Sequence, residues 1–183
     1  MLAETREKSI TVPAKSGGAL GSIPEKHRSA EICLEAVRRC GCMLEYVPRK
    51  HKTAELCRAA VMHEGWALEF VPDELKTLEL CLEALGQDGS ALEYVPEEFL
   101  TRDLCLAAIG RCGWALEFVP DRLKTAEICL AAVRVSGVAL EFVPEKLKVT
   151  EICVEAVRQD SWALEHVPDW LKLKVAMLAE RGG

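Results

Sequence analysis

The 24 residues from Pro96 to Val119 are a unit that the chain repeats, and they read Pro96-Glu-Glu-Phe-Leu-Thr-Arg-Asp-Leu-Cys-Leu-Ala-Ala-Ile-Gly-Arg-Cys-Gly-Trp-Ala-Leu-Glu-Phe-Val119. Six consecutive copies share this frame. Their opening prolines are Pro24, Pro48, Pro72, Pro96, Pro120 and Pro144, and Pro168 follows at the same spacing. A unit this short cannot bury its own apolar face, so successive copies must stack on one another. The fixed period therefore predicts a solenoid.

We number the unit from its proline, which is position 1. Positions 1, 10, 13, 21, 22 and 24 are invariant among the six copies, as proline, cysteine, alanine, leucine, glutamate and valine. Position 6 is serine or threonine in the first five copies and an acid follows two residues later, which is typical of a helix N-cap. Apolar residues at positions 9, 10, 13 and 14 form one helical stripe. The pattern predicts a helix from position 6 to about position 16.

The second half of the unit predicts how this helix ends. Glycine occupies position 18 in five copies, and we expect it to supply the left-handed residue that closes the helix. A second, shorter helix is expected over positions 19 to 23, because valine before proline favours extended backbone. Alternatively, proline is the first helical residue and the long helix begins there. The serines and threonines favour the break.

The predicted fold class is all-α, an α-solenoid of 24-residue helix-turn-short-helix repeats with capping half repeats. A leucine-rich-repeat solenoid has a compatible period, but the copies contain no β-branched strand and are rich in helix-forming residues. Four segments are predicted: a flexible N-terminal tail at 1–11, a degenerate N-terminal half repeat that acts as a cap at 12–24, six tandem repeats at 24–167, and a C-terminal capping helix at 168–183.

Two runs carry a family resemblance: Thr125-Ala-Glu-Ile-Cys-Leu-Ala-Ala-Val133 and Gly137-Val-Ala-Leu-Glu-Phe-Val-Pro144. They resemble the bacterial helical repeat family catalogued as domain of unknown function 4116, whose unit is about two of these copies. The resemblance covers residues 17 to about 172. It implies a helical repeat fold and no assigned activity or catalytic residue. Tryptophan at position 19 of alternate copies gives this chain a double unit as well.

Composition and charge narrow the class of protein. Half of the residues are hydrophobic, but the N-terminus is charged from its fourth residue and no apolar run approaches the roughly 20 residues that span a bilayer. The sequence therefore predicts a soluble, cytoplasmic protein with no membrane partner. A net charge of −6 disfavours nucleic acid, which calls for a basic surface.

Nine cysteines invite a metal or disulfide interpretation. Six of them form a ladder at position 10: Cys33, Cys57, Cys81, Cys105, Cys129 and Cys153. Equivalent cysteines on neighbouring packed helices are expected to lie about 8–10 Å apart, which is too far for a disulfide or a shared zinc ion. The ladder is therefore expected to be buried and reduced, as small hydrophobic packing. Cys40 and Cys42, with Cys112 at the same repeat position as Cys40, are the alternative candidates for a reactive thiol or a metal.

Two carboxylate rows recur at positions 8 and 22. Catalytic pairs occur once in a protein, whereas these rows occur in every copy, so we expect structural roles and no enzyme activity. Position 8 serves the helix N-terminus, and position 22 is expected to meet the lysine at position 5 or backbone amides. No nucleophile, phosphate-loop or dinucleotide motif is present in the sequence, and no cofactor or metal is predicted.

The remaining indication of function is the set of positions at which the copies differ. Positions 15, 16 and 19 differ from copy to copy, which is where a repeat protein places specificity. The predicted partner-binding surface consists of Trp66, Trp114 and Trp162 at position 19, with Arg38, Arg39, His63, Arg111, Arg134 and Arg158 at helix ends. The sequence thus predicts a non-enzymatic scaffold that binds another protein. The alternative is a cysteine-based metal-binding or redox protein that uses Cys40, Cys42 and Cys112.

Overall fold

The computed structural model describes residues 19–180, which contain helices and no β-strand. Within these described residues, eight α-helices run in the order α1 Ala19–Ser22, α2 Ala30–Arg39, α3 Ala54–His63, α4 Leu78–Gln87, α5 Arg102–Arg111, α6 Ala126–Val135, α7 Thr150–Gln159 and α8 Asp169–Glu180. Six-residue 3-10 helices follow α2 to α7, at Gly41–Tyr46, Gly65–Phe70, Gly89–Tyr94, Gly113–Phe118, Gly137–Phe142 and Ser161–His166. One-turn 3-10 segments, or a turn at 121–123, link the copies. The predicted all-α solenoid is confirmed.

The long helices begin where the hydroxyl side chains predict. Ser29, Thr53, Thr77, Thr101 and Thr125 each accept a hydrogen bond from the backbone N–H three residues later. In the sixth copy Val149 takes this place, and α7 begins without a side-chain cap. The predicted break after the proline is therefore confirmed. The alternative, a long helix that continues directly from the proline, holds for Pro168 and α8.

The expected role of the position-18 glycine is wrong. No residue between 19 and 180 has a positive φ, and the long helices end one residue earlier in extended backbone. The glycine is needed because the next copy comes too close for a side chain. A Cβ on Gly89 would lie well inside 3.0 Å of the carbonyl oxygen of Ala108. In the first five copies, glycine at position 18 therefore allows the six-residue 3-10 helix to touch the long helix of the following copy.

The solenoid has two layers with the core between them. Each long helix packs against the long helices before and after it, and the six-residue 3-10 helices stack in the same way. The six ladder cysteines are completely buried and are free thiols. Burial raises the pKa of Cys57, Cys81 and Cys129 to about 11. The predicted burial of the ladder is confirmed.

The two ends of the array differ from its interior. At the start, α1 packs against α2, and the predicted tail at 1–11 and the beginning of the half repeat at 12–24 lie outside the described residues. At the other end, α8 packs on α7 and buries Leu171 and Val175. Its other side leaves Trp170 and Leu173 more than three quarters exposed. The cap functions of both ends stay predictions. Within residues 19–180, no helix has the length and apolar character needed to cross a membrane.

Candidate functional site

The exposed side of the 3-10 layer carries the predicted tryptophans. A 3-10 helix has three residues per turn, so positions 19 and 22 lie one above the other on the same side. Trp66, Trp114 and Trp162 are 37%, 45% and 69% exposed. The position-22 glutamates are exposed in all six copies: Glu45, Glu69, Glu93, Glu117, Glu141 and Glu165. We call this surface, the three tryptophans with these six glutamates, the tryptophan face.

Ring contacts fix the orientation of two of the tryptophans. Trp66 meets Phe70 of its own 3-10 helix edge to face, with ring centres 5.8 Å apart. Trp114 meets Phe142 of the next copy, with ring centres 5.5 Å apart. Trp66 therefore packs on its own 3-10 helix, whereas Trp114 packs on the following copy. Neither ring belongs to the buried core, and each contacts one other aromatic ring while part of the indole stays exposed.

The glutamates of the tryptophan face do not pair with the position-5 lysines, contrary to expectation. Lys76, Lys124 and Lys148 pair instead with the position-2 acid of their own copy, at 3.0, 3.7 and 2.7 Å. Lys52 donates to the carbonyl oxygen of Phe70 at 2.7 Å, and burial lowers the pKa of this lysine. These lysine contacts all lie within one copy. The position-22 carboxylates remain at the surface, and Glu141 lies 3.9 Å from His166 Nε2.

The predicted basic side chains at helix ends lie on the surface but have different partners. Arg39 pairs with Glu35 within α2, Arg134 with Glu155 of the next copy at 3.0 Å, and Arg158 donates to the carbonyl oxygen of Leu178 in α8 at 3.1 Å. His63 Nδ1 lies 3.5 Å from Glu64.

Two arginines of this set remain without such partners. Arg38 and Arg111 are exposed and form no ion pair with any residue between 19 and 180. Gly86 and Gln87 occupy the equivalent positions of the third copy and interrupt the row. The basic side chains therefore do not form a continuous ridge.

A second cluster lies at the junction between the first and second copies. Cys40 and Cys42 form a disulfide across Gly41. The Glu64 carboxylate of the next copy reaches back to them, with Oε1 3.3 Å from Cys40 Sγ and Oε2 accepting the Cys42 backbone N–H at 2.8 Å. The two sulfurs and a Glu64 oxygen all lie within 4.8 Å of one another, and the three residues are half-buried. With the disulfide reduced to two thiolates, this donor set suits a borderline-soft cation such as Zn²⁺.

The predicted third member of that cluster, Cys112, is not there. It is a free, half-buried thiol three copies further along, and its Cβ lies beside Gly89. The rise of the stack separates equivalent positions of different copies, so a shared repeat position does not bring Cys40 and Cys112 together. Glu64 was missed from the sequence. The available signal was its place at position 17 of the next copy, 24 residues after Cys40.

The family model described as Domain of unknown function (DUF4116) matches three segments in tandem, at residues 53–100, 101–148 and 127–172. No curated protein and no solved structure matches the chain. The first two matches each span two copies of the 24-residue unit, in agreement with a double repeat.

Proposed function

We propose that this chain, which belongs to the DUF4116 family, is a non-enzymatic, cytoplasmic repeat scaffold that binds another protein through the tryptophan face. The observation that carries the proposal is the partial exposure of Trp66, Trp114 and Trp162 at alternate copies of a closely packed frame. Tryptophans of this kind contribute strongly to protein interfaces because they bury a large area at low entropic cost. Their fixed spacing suits an extended partner segment that follows the array.

The chemistry beside the tryptophans favours a partner segment that carries arginine or lysine. Each tryptophan has a glutamate three residues later on the same side of its 3-10 helix. Indole rings attract cations through their faces, and a nearby carboxylate adds a charge partner. The position-22 glutamates are exposed and do not pair with the position-5 lysines. Glu69 interacts with Tyr94, so Glu117 and Glu165, beside Trp114 and Trp162, are the carboxylates that we propose such a segment uses.

The arginines at helix ends form a second part of the proposed surface. Arg38 and Arg111 are its available members, because Arg39, Arg134 and Arg158 already contact other groups of the chain. These two side chains suit isolated acidic groups of the partner. They contribute at the border of the interface, where exposed charge pairs are worth only about 0–1 kcal/mol each.

The test compares three immobilised forms of the protein as baits. The first is wild type, the second carries Trp66→Ala, Trp114→Ala and Trp162→Ala, and the third is a control with Leu78→Ala and Leu82→Ala, two exposed apolar residues on α4. A protein that wild type and control retain is then purified and its affinity for each form measured. One hot spot is worth about 2 kcal/mol, so removing even one predicts roughly thirtyfold weaker binding. Equal affinity for the tryptophan and control variants would overturn the proposal.

A further inference from the structure

Every junction between copies brings the same three positions together. The position-17 side chain of one copy packs on the position-18 glycine of the copy before it, as shown by the short distances from a Cβ placed on Gly89 to Cys112 Cβ, 3.0 Å, and on Gly113 to Ser136 Cβ, 2.9 Å. The position-17 side chain of the later copy therefore adjoins positions 17 and 19 of the earlier copy. At the first junction these three positions are Cys40, Cys42 and Glu64.

The first junction differs from the others in its chemistry. The third junction has Asp88, Ser90 and Cys112 at the same places. There the Asp88 carboxylate accepts the N–H of Ser90 in its own copy at 2.9 Å, and Asp160 does the same for Trp162. Cys40 has no carboxylate, so Glu64 of the next copy accepts the N–H of Cys42 with Oε2. Its second oxygen, Oε1, is then directed at the Cys40 sulfur.

We propose that Cys40 and Cys42, when reduced, bind one Zn²⁺ together with Glu64. Two thiolates and a carboxylate are zinc ligands, at about 2.3 Å from sulfur and 2.0–2.2 Å from oxygen, and water takes the fourth position of the tetrahedron. Both sulfurs and the carboxylate oxygen already lie within 4.8 Å of one another. Zinc replaces the two thiol protons, which are released to solvent. The ion thereby joins the first copy to the second.

The disulfide and the metal exclude each other, because a disulfide offers no thiolate. Opening the Cys40–Cys42 bond takes two electrons and two protons. A phosphine reductant supplies the electrons, gains an oxygen atom from water as it becomes a phosphine oxide, and leaves two thiols on the protein. Zinc binding therefore requires the reduced protein. The six ladder cysteines do not compete for the ion, since burial raises the pKa of these thiols and separates them from solvent.

The experiment is a calorimetric titration of metal-free protein with Zn²⁺, with and without excess phosphine reductant. Reduced wild type is expected to bind one equivalent, and the oxidised protein none. Cys40→Ser and Cys42→Ser abolish binding, and Glu64→Gln weakens it at least tenfold. The matched control is Cys112→Ser, which removes a half-buried thiol at the same repeat position as Cys40 and leaves the affinity unchanged. Circular dichroism of each variant shows whether the helices are retained.

An absorption spectrum of the wild-type protein tests the site without any substitution, so the result does not depend on whether the variants fold. Reduced wild type with Co²⁺ in place of zinc is expected to show the charge-transfer absorption of cobalt–thiolate bonds, and prior oxidation removes it. The proposal is overturned if reduced wild type binds no Zn²⁺ and gives no such absorption. It is also overturned if folded Cys40→Ser or Glu64→Gln protein binds zinc as wild type does.

Discussion

Gly65 and Trp66 are neighbours in one 3-10 helix, yet they belong to two regions under opposite constraints. We call the contact between a position-18 glycine and the long helix of the next copy the seam. Gly65 is buried there, and a Cβ on it would collide with the carbonyl oxygen of Ala84. Trp66 turns to solvent on the tryptophan face. Position 18 is glycine in five of six copies, whereas position 19 is cysteine, tryptophan, serine or valine. The array thus confines its close packing to the seam and leaves position 19 of the tryptophan face free to vary, beside the invariant glutamate at position 22.

The largest expected effect comes from adding a methyl group inside the seam, and a second variant adds one just outside it. Gly89→Ala forces a Cβ against the carbonyl oxygen of Ala108, and such overpacking is expected to lower the free energy of unfolding by about 3 kcal/mol. The matched control is Gly86→Ala in α4, where a Cβ meets nothing within 4 Å. It is expected to raise the free energy of unfolding by about 0.5–1 kcal/mol, because alanine favours helix. Urea denaturation of both variants measures this difference. Similar midpoints would show that the seam has room for a methyl group.

A smaller change in stability is expected at the helix caps, where copies with and without a side-chain cap differ. Thr125→Ala removes the acceptor of the Ile128 N–H and is expected to cost about 1 kcal/mol. Val149→Thr supplies the acceptor that α7 lacks and is expected to stabilise the protein by a similar amount. Thermal unfolding of the two variants should shift in opposite directions. A destabilised Val149→Thr protein would mean that the apolar side chain has a packing role at this site.

The smallest expected effect is on thiol reactivity without any change of stability. With a pKa of about 11 for Cys57, Cys81 and Cys129, only about one thiol in a thousand is ionised at pH 8, and the thiolate is the reactive form. Cys112 is half-buried and free and is expected to be alkylated first in the native, oxidised protein. The labelling order is read by mass spectrometry of peptides. Ladder cysteines that react as fast as Cys112 would contradict their burial.

The period and the local signals of the unit determine most of the fold. The prolines, the hydroxyl residues at position 6 and the apolar stripe locate the long helices because each acts within its own copy. The glycine at position 18 was misread, since a left-handed helix end and a close approach of two backbones both select glycine. Sequence within one copy does not distinguish them, because the group that makes glycine necessary, such as Ala108 O for Gly89, lies in the next copy.

The candidate sites were predicted less well than the fold, for the same reason. Trp66, Trp114 and Trp162 are candidates from the sequence because position 19 varies, but a single copy does not show whether they are exposed, and the Phe142 contact of Trp114 crosses to another copy. Cys40 and Cys42 were identified by their spacing, whereas Glu64 joins them only through stacking. Side chains that meet across a junction depend on the rise of the array, which a single copy does not encode.

The most direct test of the separation between seam and face uses the two adjacent residues that define it. Gly65→Ala and Trp66→Ala are compared by urea denaturation under the same conditions. We expect Gly65→Ala to lower the free energy of unfolding by about 3 kcal/mol through overpacking, and Trp66→Ala, at a residue outside the core, to lower it by less than about 1 kcal/mol. If Trp66→Ala proved as damaging as Gly65→Ala, the tryptophan would be part of the packing frame and the division between a fixed seam and a variable face would be contradicted.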